Sequence, residues 1–114
     1  MFKKKDWIFN GESGKKYSFQ IKPKTSVFPE SAGIFVLTYT HPRGHLAGYE
    51  VNKIIIGCSE NIKKDMKNPP QREYATENCW NCTFLYLTED KNEQQEIIDD
   101  LCAANKKLRR TDRD

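Results

Sequence analysis

Apolar residues fall along this chain in short clusters separated by turn-forming stretches, and each cluster repeats with the period of a strand or a helix. Trp7-Ile8-Phe9 reads as a short strand, and Asn10-Gly11-Glu12-Ser13-Gly14 follows it with two glycines and an Asn-Gly turn signal. From Lys16 to Pro23 polar and apolar residues alternate, which places Tyr17, Phe19 and Ile21 on one face. Residues 7–22 therefore predict an N-terminal hairpin. Phe28 to Ala32 is a linker whose path Pro29 constrains. Gly33-Ile34-Phe35-Val36-Leu37-Thr38-Tyr39 is apolar on both faces, as a central strand covered on both sides should be. Residues 40–49, with Pro42, Gly44 and Gly48, read as a loop, and Lys53 to Gly57 as a second buried strand.

After that strand, Ser59 is placed to cap a short helix from Glu60 to Lys67, with Ile62 and Met66 four apart on its inner face. Pro69-Pro70 stops it, and residues 71–78 look polar and weakly structured. Thr83 to Leu87 gives a third core strand. Asp90 and Glu93 form a D-x-x-E capping pattern, after which Ile97, Ile98, Leu101, Cys102 and Leu108 recur at helical spacing. The acidic first turns of this helix and the basic residues Lys106, Lys107, Arg109 and Arg110 at its end suit the helix dipole. The expectation is an α+β domain over residues 7–110. It has a three-stranded antiparallel central sheet, two flanking helices in the order β-β-α-β-α, and the N-terminal hairpin. Residues 1–6 form an arm, and a disordered tail starts at Thr111.

Composition narrows the setting. The chain has 114 residues, of which 37% are hydrophobic, enough for one small core. No run approaches the roughly 20 apolar residues of a membrane helix. Lys3-Lys4-Lys5 has no apolar stretch behind it to make a signal peptide, so a cytoplasmic setting without membrane contact is expected. The formal charge of +3 is uneven: residues 1–57 carry nine basic and four acidic side chains, a balance of +5, and residues 58–114 carry ten and twelve, a balance of −2. The residues imply no cofactor. Cys58, Cys79, Cys82 and Cys102 are expected as reduced thiols. Cys79-Trp80-Asn81-Cys82 has the spacing of a zinc or redox pair, but it precedes a strand and not a helix, and no second close pair of ligands accompanies it. Ordinary small apolar residues are the plainer reading.

The β-β-α-β-α order, with Gly33-Ile34-Phe35 opening one strand and Ile55-Ile56-Gly57 closing the next, resembles the GIY-YIG nuclease domain. The Phe9-Asn10-Gly11-Glu12-Ser13-Gly14 turn before Tyr17-Ser18-Phe19, and the Ser59-x-Asn61-Ile62 helix entry, resemble a small single-domain bacterial family of that kind. The resemblance covers residues 7–108. It implies a phosphodiester-cleaving ancestor in which tyrosines of the two tripeptides position or activate water, an arginine on the first helix contacts the phosphate, and a glutamate on the last helix holds a divalent metal. Those positions fall here on Phe35, Ile55, Asp65 and Ile98, with Gly57 kept. Phe35 lacks the hydroxyl, Ile55 lacks any polar atom, Asp65 puts an anion where a cation belongs, and Ile98 offers no oxygen to a hard cation. The asparagine that often follows the last helix is also missing, since Lys106 to Arg110 occupy that stretch.

The resemblance thus implies an inactive scaffold that binds nucleic acid or a protein partner, with Lys53, Lys63, Lys64 and Lys67 as candidate phosphate contacts against the plainer view that they keep a surface wet. Two alternatives stand beside it. One is a divergent metal-dependent nuclease with Asp65 and Asp99 as relocated ligands, and the other is a zinc or redox module on Cys79 and Cys82. Trp7, Trp80, Phe35, Tyr39, Phe84 and Tyr86 suggest base stacking less than core packing. His41, Arg43 and His45 are the polar loop side chains best placed to be exposed.

Overall fold

The computed structural model describes residues 6–23, 27–42, 49–69 and 71–111. The arm at residues 1–5, Arg43, His45, Pro70 and the last three residues lie outside them. Six strands and three helices follow in the order β1 (Asp6–Asn10), β2 (Lys16–Pro23), β3 (Gly33–Pro42), β4 (Tyr49–Ser59), α1 (Ile62–Lys67), α2 (Arg72–Glu77), β5 (Cys82–Leu87), α3 (Lys91–Ala104) and β6 (Arg109–Arg110). All six strands form one sheet in the order β1-β2-β5-β3-β4-β6. Neighbours are antiparallel except β4 and β6, which run parallel.

The fold is therefore α+β, with a larger sheet than the three-stranded centre expected. The N-terminal hairpin continues that sheet, because β2 pairs with β5 from Gln20↔Leu85 to Pro23↔Cys82. The stretch expected to be a loop at 40–49 in part extends the β3–β4 ladder through Thr40↔Val51 and His41↔Glu50. No helix among the described residues is long and apolar enough to cross a membrane.

Helices cover both faces of the sheet, which explains the unbroken apolar runs of β3 and β4. On one face Ile34, Val36 and Ile56 join Phe9, Phe19 and Phe84 against Ile97, Ile98 and Leu101 of α3. On the other, Phe35, Leu37 and Ile55 pack with Leu85 and Trp80 under Ile62 and Met66 of α1 and Ala75 of α2. A register shift opposite Leu37 and Thr38 leaves Ile54 as an extra residue of β4. Ile54 consequently joins Ile55 on the α1–α2 face.

Several helix boundaries differ from expectation. Asn61, not Ser59, caps α1, its Oδ1 accepting from Lys64 N at 3.1 Å. The other first-turn amides are held by the linker, with Ile62 N donating to Ser31 O and Lys63 N to Pro29 O at 2.9 and 3.0 Å. Residues 72–77 form α2 where weak structure was expected, and α3 stops at Ala104. The Asp90 cap is as expected, accepting from Asn92 N and Glu93 N. Leu108 is buried beyond the end of α3, so the basic residues that follow do not belong to its last turn. Nor is Thr111 part of a loose tail: its N–H donates to Ile56 O at 2.9 Å.

Candidate functional site

Phe35 and Gly57 face each other across the β3–β4 ladder. A Cβ added to Gly57 would sit 2.8 Å from Phe35 Cζ and overlap Thr111 Oγ1. The glycine thus lets the C-terminal strand pass close to β4 and lets the Phe35 ring cover the backbone. β6 then reaches both helical layers. The Arg109 guanidinium stacks 3.8 Å over the Tyr74 ring and donates to Gln71 Oε1 at 2.8 Å, while Arg110 pairs with Asp99 at 2.8 Å.

The four positions aligned with nuclease chemistry do not form a common cleft. Phe35 and Ile55 are completely buried in the apolar layer under α1 and α2. Ile98, equally buried, lies in the other layer, across the sheet. Asp65 accepts a short hydrogen bond from Ser59 Oγ, which also takes Asn61 N at 3.0 Å. Asp65 therefore fixes the entry of α1. Asp99 belongs to α3 and is held by Arg110 and by Gln95 Nε2, so the two aspartates of the relocated-metal alternative are not brought together. Among the described residues no group of three or more His, Cys, Asp or Glu side chains could hold a metal ion. An asparagine does follow the last helix, because α3 ends early: Asn105 caps it, donating from Nδ2 to Leu101 O at 3.1 Å.

Three of the four residues from Cys79 to Cys82 have a structural use. Cys79 leaves α2 with a left-handed φ of 64° and is exposed, whereas Cys82 is buried in the α3 layer. Burial pushes the Cys82 thiol up to about 11, away from the thiolate that metal binding or redox attack requires. Between them, Trp80 fills the opposite layer. Asn81 imitates a strand partner: its Oδ1 accepts from Thr40 N and its Nδ2 donates to Thr40 O, both at 2.9 Å.

The Gly11–Gly14 turn is equally specific. Ser13 donates to the Asp100 carboxylate from its N–H at 2.8 Å and from Oγ at 2.6 Å, and Tyr17 Oη donates to it at 2.6 Å. A Cβ on Gly11 would overlap that carboxylate. Hydrogen bonds from Ser13 and Tyr17 hold Asp100 below the usual carboxylate range, and burial together with Asp100 pushes Tyr17 up to about 12. The turn motif is a clamp that fixes α3 to the hairpin.

The candidate lysines divide between two places. Lys63, Lys64 and Lys67 are exposed along α1. Lys53 lies in a different setting, with its Nζ 5.0 Å from the centroid of the Phe9 ring, and desolvation lowers its pKa. It borders an open cleft of about 470 Å³ lined by Val51, Asn52 and Lys53 of β4 and by Asn105, Lys106, Lys107 and Leu108 after α3. Lys106 and Lys107 occupy the middle of a turn closed by Leu108 N donating to Asn105 O at 3.0 Å. The sequence reading missed this cleft because it assigned Lys106 and Lys107 to the end of a helix. Of the other polar side chains considered, His41 lies on β3, pairs with Glu50 at 3.4 Å and stacks on Tyr39 with ring centroids 5.3 Å apart. Comparison of the chain with protein-family models, with curated proteins and with solved structures finds no match.

Proposed function

We propose that this chain is a GIY-YIG-like domain that binds nucleic acid without cutting it. The observation that carries the loss of chemistry is the separation of Phe35 and Ile55 from Ile98 by the sheet, each sealed in hydrocarbon. The buried apolar side chains clustered with these three residues carry no cation for the phosphate oxygens and no oxygen ligand for a metal. The strand order around β3, with β5 on one side and β4 on the other, supports a scaffold in which the two tripeptide strands lie adjacent at the centre of the sheet. Support for a phosphate-bearing partner comes from the exposed lysines of α1 and from the lysine-lined cleft beside β4.

Two assays on the intact chain test this reading. Incubation with plasmid and single-stranded DNA in Mg²⁺ or Mn²⁺ should give no cleavage products. Fluorescence anisotropy with short DNA and RNA probes should show binding at low salt that weakens as salt rises, with log K falling by about 0.7–0.9 per phosphate contact for each tenfold increase. Metal-dependent cleavage, or no binding to any probe at low salt, would overturn it.

A further inference from the structure

We propose that the cleft between the Val51–Lys53 end of β4 and the Asn105–Leu108 turn is a phosphate-binding site, with Lys53, Lys106 and Lys107 as its charge partners. The proposal deepens the reading above, on which only its oligonucleotide arm rests. Three lysines line one cleft, and none of the residues lining it is acidic. Val51 and Leu108 supply apolar surface between them. Lys53 is the informative member. Lys53 is half-buried, and among the described residues its ammonium meets the face of Phe9, not a carboxylate. A ring returns part of the lost hydration and leaves the charge free to pair with an anion. Lys106 and Lys107 are presented together by a hydrogen-bonded turn and not by a frayed end, so their main chain needs no ordering on binding.

Charge and size define the ligand class. Three cations suit a multiply charged anion better than a single carboxylate: a phosphomonoester carries about −1.5 to −2 near neutral pH, and a nucleic-acid strand carries one negative charge per phosphodiester. A cleft of about 470 Å³ exceeds one phosphate group and lies within the range of small-ligand sites. It accommodates a phosphate together with an attached sugar or a second phosphate. Two sources share this chemistry, namely the backbone of a nucleic-acid strand and a free phosphorylated small molecule.

The test titrates ¹⁵N-labelled protein at low salt with a 5′-phosphorylated oligothymidylate and, separately, with inorganic pyrophosphate. The expected result is that amide shifts concentrate at residues 51–53 and 105–108. Lys106→Gln/Lys107→Gln should then weaken binding by about tenfold or more, the scale of a lost charge-assisted contact. Lys53→Met, which keeps the side-chain stem on Phe9, should do the same, and a Lys63→Gln/Lys64→Gln/Lys67→Gln control should leave the cleft shifts unchanged. The double variant lies on an exposed turn, so the test stands even if Lys53→Met folds poorly. Binding of pyrophosphate but not of the oligonucleotide supports the site and removes the nucleic-acid reading. Oligonucleotide binding that depends on the α1 lysines and not on the cleft leaves that reading standing and overturns the site. Absence of shifts at the cleft with both probes overturns the site as well.

Discussion

At its Ile55–Gly57 end strand β4 runs between two layers of hydrocarbon, whereas at its Val51–Lys53 end the same strand borders an open cleft with three lysines. The difference begins at one extra residue. Because Ile54 is inserted at the register shift, Ile54 and Ile55 both face α1 and α2, and Lys53 turns to the α3 side, where its ammonium meets Phe9. Without that bulge, alternation would carry Lys53 to the α1–α2 face. The Ile55–Gly57 end of the strand serves packing. The polar, accessible chemistry lies some residues earlier and on the other face.

The harshest way to break this contrast is to put a carboxylate at Ile98, the position that the resemblance aligns with a metal ligand. Ile98→Glu places a carboxylate at a fully buried position among Phe9, Phe84, Ile97 and Leu101. The expected loss is more than about 4 kcal/mol, read from urea unfolding, which leaves a domain of ordinary stability barely folded. A folded Ile98→Glu protein that cleaves DNA in Mg²⁺ would show that the sealed end is still a catalytic cleft.

Gly57→Ala tests the same end more gently. Its methyl group meets the Phe35 ring and the Thr111 side chain, so β6 must lift and loosen the contacts of Arg109 and Arg110 with the two helical layers. Overpacking of this kind costs about 1–3 kcal/mol. Denaturation midpoints measure it, and a neutral result would mean that the glycine has no packing role. Binding at the cleft should survive wherever the variant is folded.

The clamp at Asp100 sets the position of α3, and hence of the turn that carries Lys106 and Lys107. Its pH dependence has a definite sign. Asp100 is held below its ordinary carboxylate value, so its contribution is full above that value and is lost as pH falls through the depressed one. Tyr17 is raised from 10.0 to about 12, so its contribution is full below pH 10 and is lost between pH 10 and about 12. Thermal unfolding should therefore show weakening at both extremes. Asp100→Asn should remove the acid limb, and Tyr17→Phe the alkaline one. A Tyr17→Phe profile identical to that of the parent would place the alkaline loss elsewhere.

Much of this fold was legible in the sequence where burial imposes a period. The alternation of Tyr17, Phe19 and Ile21 and the two-faced runs at 33–39 and 53–57 located three strands, because a covered sheet requires those patterns. What escaped lacks a pattern. Helix α2 buries only Ala75, and β6 is two arginines whose contacts reach in opposite directions. Leu108 follows Leu101 by seven residues, a helical interval, yet Asn105 ends the helix between them. That coincidence hid the cleft, since Lys106 and Lys107 read as a dipole complement until the chain turned there. Lys53 was legible as a candidate, but not its partners, which lie at the other end of the chain. The motif positions Phe35, Ile55, Asp65 and Ile98 were legible as chemically unsuited. That a sheet stands between them was not, because spacing along a chain does not say which face a helix covers.

The smallest effect expected is also the most discriminating. If Lys53 were kept for stability, Lys53→Met should destabilise the domain. Desolvation lowers its pKa, so folding disfavours the charged form at neutral pH, a cost relieved as pH rises through the lowered value towards 10.5. Methionine keeps the apolar stem over Phe9 and loses both that cost and the cation–π attraction, which oppose each other. The two should nearly cancel, for a net change of less than about 1 kcal/mol in urea unfolding, while phosphate binding falls by about tenfold. A large loss of stability with binding intact would make Lys53 a packing residue. Stability preserved with binding lost would identify its charge as one that the fold carries for a ligand.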